Sequence, residues 1–123
     1  MVERRTRARR VPEPESFLPL HPLEFRVLLV LLESPSHAYR IVKEIEAREP
    51  RPTVYPANLY RRIRDLLDKG LVEEQAPSRE EASGRPRTVL RASELGRRVA
   101  RLEAKRLETL LADARERRLL GRA

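Results

Sequence analysis

The fold turns on residues 56–70, Pro56-Ala57-Asn58-Leu59-Tyr60-Arg61-Arg62-Ile63-Arg64-Asp65-Leu66-Leu67-Asp68-Lys69-Gly70. Leu59, Ile63, Leu66 and Leu67 fall at i, i+4, i+7 and i+8, one face of an α-helix. At about 100° per residue, Ala57, Arg61, Arg64, Asp65 and Asp68 point the opposite way, and Asn58 and Tyr60 flank that outward face near its N-terminal end. Proline suits a first helical turn, where its missing N–H would be unbonded in any case, and glycine suits the left-handed residue that ends a helix. The spacing predicts a helix over 56–69 that buries leucines and turns arginines outward.

Working outward, each neighbouring segment has its own signal. Pro22 opens a run (Leu23, Phe25, Val27 to Leu32) interrupted only by Glu24 and Arg26, a helix apolar nearly all round and so buried on more than one side. In so small a chain a second buried side suggests contact with another chain. Ser34-Pro35-Ser36 breaks the run, and Ser36 reads as the cap of a second helix with Tyr39, Val42 and Ile45 on its apolar stripe, ended by Pro50 and Pro52. Downstream of Gly70, residues 71–76 and 87–92 read as two strands around a polar, turn-rich loop over 77–86. Ser93-Glu94 then looks like a cap with an acid in the first turn, opening a long C-terminal helix. Its apolar residues, Leu95, Val99, Leu102, Leu107, Leu110, Leu111 and Ala114, do not form a regular heptad and cannot be covered by the helix alone. The expected fold is mainly α with a small two-stranded β-wing: a winged helix-turn-helix over 17–92, a C-terminal dimerisation helix over 93–123, and a flexible basic arm over 1–16, which is almost without apolar residues.

Composition narrows the function. The 123 residues carry no Cys and no Trp, so there is no disulfide framework and no thiolate nucleophile or metal ligand. The longest unbroken apolar run is six residues, Val27 to Leu32, far short of the roughly 20 that cross a bilayer. A cytoplasmic protein without a membrane segment is expected. His21 and His37 are the only histidines, with no second ligand at metal spacing, and the four glycines form no phosphate-cradling loop. Neither enzyme chemistry, nor a metal, nor a cofactor is expected. The formal net charge of +8 resides in the ends: residues 1–14 sum to +3, 15–92 to +1 and 93–123 to +4. Charge alone therefore does not establish a polyanion partner, and local clustering has to decide.

Three motifs in order resemble the PadR family of transcriptional regulators. Leu31-Leu32-Glu33-Ser34-Pro35-Ser36-His37-Ala38-Tyr39-Arg40-Ile41 is similar to its Leu-rich helix, Gly-Pro break and His-Gly-Tyr-x-Ile start. Leu59-Tyr60, Arg64 and Leu67-Asp68-Lys69-Gly70-Leu71-Val72 resemble its recognition helix and exit into the wing, and Gly84-Arg85-Pro86-Arg87 with Arg91, Ser93, Glu94 and Gly96 its wing tip and last helix. The resemblance spans roughly residues 22–105. The sequence departs from the family pattern at Ser34 and Ala38, where Gly is usual, at Ala57-Asn58, where Gly-Thr or Gly-Ser is common, and at Arg61, in place of a frequent Pro. These departures fall on the expected DNA face, so no operator sequence is carried over.

The resemblance implies a dimeric repressor in which the C-terminal helix packs against the partner's first helix, with some members released from DNA by a small aromatic or cationic compound. Partners expected here are thus palindromic double-stranded DNA, a second copy of the chain, and a small hydrophobic or aromatic inducer. The DNA-binding candidates are Asn58, Tyr60, Arg61, Arg64, Arg85 and Arg87: a guanidinium bridges guanine O6 and N7, Asn addresses adenine, and a phenol or wing arginine meets phosphate or the minor groove. The dimer-interface candidates are Leu23, Val27, Val30, Leu31, Val99, Leu102, Leu107, Leu110 and Leu111. Two other readings stay open at this stage, a winged-helix protein–protein adaptor, which the near-neutral centre favours, and a nonspecific architectural DNA binder working through the basic ends.

Overall fold

The first helix, α1 (Pro22–Glu33), starts where His21 and Glu24 satisfy each other's neighbours: His21 Nδ1 accepts the Leu23 N–H at 3.0 Å, and Glu24 Oε1 accepts the His21 N–H at 3.3 Å. In the computed structural model, which describes residues 12–48, 55–76 and 88–121, α1 is the central element. It touches α2 (Ala38–Arg48), α3 (Pro56–Lys69), α4 (Glu94–Glu116) and the strand Val89–Ala92. That enclosure explains why the helix is apolar nearly all round: the second buried side faces the chain's own elements. Val27, Val30, Leu31 and Val99, expected at a dimer interface, accordingly lie in the protomer's own core. Leu23 is half-buried against the same core.

The sheet has three strands, not the expected two. β1 (Ser36–His37) pairs antiparallel with β3 (Val89–Ala92), which pairs antiparallel with β2 (Val72–Gln75), giving the order β1-β3-β2. Ser36, expected to cap α2, is extended and stands opposite Leu90, so its backbone serves the sheet and α2 begins two residues later at Ala38. β2 and β3 are shorter than the expected 71–76 and 87–92, and the loop between them lies outside the described residues.

The ends of α3 follow from its terminal residues. Pro56 occupies the first turn, and Gly70 closes the helix at φ 78 while Leu71 N–H returns to the Leu66 carbonyl at 3.0 Å. From that end Lys69 Nζ donates to Glu24 Oε2 at 2.9 Å, tying α3 to the start of α1 through a carboxylate that is almost wholly buried. Ser93 then joins α3 to α4. Its Oγ donates to the Gly70 carbonyl at 2.6 Å and accepts the Gly96 N–H at 3.0 Å, while its own N–H donates to the Leu71 carbonyl.

Along α4 the buried residues Gly96, Val99, Ala100 and Glu103 form one stripe. Glu103 receives the Arg106 guanidinium at 2.7 Å on each oxygen, and the Leu20 N–H. The Arg106 hydrogen bonds hold its carboxyl below the usual range against the opposing effect of burial, with Leu20 assisting. Leu20 is buried, and Phe17 and Leu18 pack partly on the core, which anchors this stretch of chain to it. Residues Pro14–Phe17 form a 3-10 turn, so the end of the segment expected as a flexible arm is regular structure; residues 1–11 lie outside the described residues. At the other end α4 stops at Glu116, short of the expected 123, because Arg118 turns left-handed (φ 57) and Leu119 N–H bonds back to the Ala114 carbonyl at 3.0 Å.

Candidate nucleic-acid interface

Leu59, Ile63 and Leu66 of α3 face the core with little or no exposure, which fixes the rotation of the helix. Ala57, Asn58, Tyr60, Arg61, Arg64 and Asp68 are exposed as a consequence. Arg61 and Arg64 are three residues apart, so their side chains are neighbours on the helix surface. Asp65, whose charge opposes theirs, is engaged by Arg62 at 3.7 Å, and neither Arg61 nor Arg64 has an ion pair among the described residues. Two guanidinium groups thus stand side by side without an acidic partner in the described chain.

Between α3 and the base of the wing runs a groove of about 580 Å³. Tyr60, Arg61 and Arg64 form one wall, Glu74 and Thr88 the other, and Ile63, Leu67 and Leu90 part of the floor. Tyr60 is 42% exposed and shares the groove with the arginines, which brings three of the expected DNA-binding residues to one surface. Asn58 is exposed on the same helix but does not line the groove. Arg85 and Arg87 lie outside the described residues. Glu74 was not among the expected residues; alternation from Val72 along β2 is the signal that places it on the inner side.

A second groove, of about 480 Å³, lies between α1 and α2, with Leu29, Leu32 and Ile45 among its apolar residues and Glu33 and Arg48 among its charged ones. Leu29 is 47% exposed there. On α4 the stripe of buried residues continues without cover: Leu107, Leu110 and Leu111 lie on the same face by helical geometry but are exposed, and Leu102 is half-buried on the flank. Among the described residues no group of three His, Asp or Glu is placed to hold a metal ion, and no helix is long and apolar enough to cross a membrane.

The sequence of residues 27–102 matches the model of the PadR-like family of transcriptional regulators. The chain belongs to that family. The match runs from the middle of α1 to the first part of α4 and takes in every residue that lines the groove between α3 and the wing. No curated protein matches the sequence. Among solved structures, a PadR-family transcription regulator from hypervirulent Clostridium difficile aligns with 78% of this chain and 97% of its own at 12% identity and a TM-score of 0.67. A transcriptional regulator from Clostridium thermocellum aligns with 76% of this chain and 87% of its own at 18% identity and a TM-score of 0.63. A variant of ZitR from Lactococcus lactis shares 17% identity and a TM-score of 0.58, and the PadR-like chain spans only 60% of its length. At these identities the likeness is one of fold: a mainly helical winged helix-turn-helix with a small antiparallel sheet. Family membership makes this a DNA-binding regulator of transcription.

Proposed function

We propose that this PadR-like chain is a homodimeric, sequence-specific repressor that binds a palindromic operator in the cytoplasm. The observation that carries the reading is the pair Arg61 and Arg64, exposed and without an acidic partner in the described chain, on the helix that the core rotates outward. In the major groove their guanidinium groups bridge guanine O6 and N7, with Asn58 beside adenine and Tyr60 on a phosphate. Arg85 and Arg87, at the wing tip, add backbone or minor-groove contacts.

The uncovered face of α4 supports the dimer. Leu107, Leu110 and Leu111 carry the core stripe beyond the protomer body, and the groove between α1 and α2 offers an apolar floor of matching character on a second copy. Leu23 and Leu102 border those surfaces. A two-fold axis there sets two α3 helices about 34 Å apart, one turn of B-DNA, and so requires a palindromic site. The same leucines supply apolar walls for a small hydrophobic or aromatic inducer whose binding releases DNA.

Selection of sites from random duplex DNA at two salt concentrations tests the reading. A palindromic consensus is expected, and Arg61→Ala or Arg64→Ala should lower affinity for it by about 1–3 kcal/mol and relax the preference at one base pair per half-site. Binding to random duplex as tight as to any selected site, unchanged by either substitution, would refute it.

A further inference from the structure

In β2 the side chains alternate, and Val72, fully buried, sets the inner face. Glu73 points outward and reaches Arg91 of β3 at 3.6 Å. Glu74 therefore shares the face of Val72 and stands in register opposite Leu90, which is almost wholly buried. It sits at the open end of that face, where the core stops and a carboxylate meets solvent. Glu74 is exposed, has no ion pair among the described residues, and forms the wall of the α3–wing groove facing Arg61 and Arg64. A carboxylate there does nothing for the core and opposes the approach of a polyanion.

We infer that Glu74 is a specificity-determining residue that accepts the exocyclic amino group of a cytosine and turns away DNA that offers no such donor. This rests on the reading of α3 as the helix that meets DNA. A carboxylate only accepts, so in the major groove it needs a base donor. Cytosine offers its N4 amino group with only the C5–H beside it on its own edge, the neighbouring guanine O6 being the arginine's acceptor, whereas adenine sets N7 next to its amino group and would present a lone pair to the second carboxylate oxygen. The opposite wall of the groove carries the complementary chemistry: an arginine takes O6 and N7 of guanine. Acid and base on facing walls suit G·C pairs. Where the register places no cytosine amino group before it, the same carboxylate is left unpaired and adds like-charge repulsion to the phosphates, so it weakens nonspecific binding and widens the discrimination.

Glu74→Gln keeps the shape and removes the charge, and Glu74→Ala removes both. In the full-length protein, both variants should retain the parent's helical circular dichroism, since the side chain is exposed. Affinity for random duplex should rise, with a salt dependence steeper by up to about one counterion, and the ratio of selected-site to random-duplex affinity should fall about tenfold. Repeat selection with Glu74→Gln should lose the preference for G·C at one position per half-site. An unchanged ratio and consensus in both variants, with Arg61→Ala still impairing binding, would overturn the role of Glu74 alone. If Arg61→Ala and Arg64→Ala also changed nothing, the DNA-facing assignment of α3 would fall and this inference with it.

Discussion

Gly96→Ala is the substitution whose outcome most directly tests how α3 is joined to the rest of the molecule. In the middle of an ordinary helix this change stabilises by up to about 1 kcal/mol, because Ala orders more readily than Gly. Here the new methyl group would overlap the Leu71 carbonyl oxygen and lie 3.0 Å from its carbon. Leu71 is fully buried, and its carbonyl already accepts the Ser93 N–H at 3.0 Å. Neither atom belongs to a flexible side chain, so the backbone at the α3–β2 turn must shift or the start of α4 must lift. Overpacking of this kind costs about 1–3 kcal/mol, and weakening the Ser93 hydrogen bond about 1 kcal/mol more. After the helix-propensity gain, a net loss of about 2 kcal/mol is expected, which lowers Tm by about 8 °C for a chain of this size. Thermal unfolding followed by circular dichroism at one fixed protein concentration gives the comparison. Gly70→Ala is the control: it meets no atom, but its φ of 78 makes Ala unfavourable, so a smaller loss of about 1 kcal/mol is expected. A Gly96→Ala Tm equal to or above the parent's would refute the close approach of α4 to Leu71.

Two further outcomes follow from the packing. Because Arg106 and the Leu20 N–H hold the Glu103 carboxyl below its ordinary range, its contribution to stability is complete above the unfolded value of about 4.3 and is lost as pH falls through the lower folded value. Urea unfolding at a series of pH values should therefore show the stability gap between parent and Glu103→Gln narrowing on acidification; a constant gap would contradict it. Leu110→Glu with Leu111→Glu alters side chains that are 50% and 42% exposed, so the fold should persist while sedimentation shifts from dimer to monomer and operator affinity drops sharply. A dimer surviving both changes would point to another interface.

How much of this was legible beforehand depended on whether the signal was local. Pro56 and Gly70 carry backbone constraints of their own, so the limits of α3 and its outward arginines could be read directly. Ser93 likewise announced the start of α4. β1 could not be read, because two residues make a strand only where an edge such as β3 waits for them, and nothing in Ser36-His37 indicates that edge. The surround of α1 was visible as apolar residues on every side, but periodicity reports how many sides are covered and not by which chain. For that reason Val27, Val30, Leu31 and Val99 were expected at a partner's surface and are core, while Leu107, Leu110 and Leu111 kept their place outside it. Of the expected DNA contacts, Tyr60, Arg61 and Arg64 gather at one groove, and Glu74 escaped notice because alternation gives its face but not the packing of β2 beside α3 that brings that face to the arginines.

That register and the Gly96 contact have a joint consequence for regulation in the proposed dimer. The end of α3 and the start of α4 are held to each other by backbone atoms and the half-buried Ser93, through Gly70, Leu71, Ser93 and Gly96, so that a tilt of one helix is resisted by its bonds to the other. From residue 96 to residue 111, α4 is a lever of about 22 Å. A tilt of about 10° at the dimer contact displaces one end relative to the other by about 4 Å, more than the rise of one base pair, about 3.4 Å. In the proposed dimer the two α3 helices would have to match the pitch of the duplex, and such a displacement in each subunit would remove the match. On that reading, an inducer wedged among Leu107, Leu110 and Leu111 would need no contact with α3 to release DNA, because the Ser93 junction would carry a small change of angle at the interface into lost register at the operator.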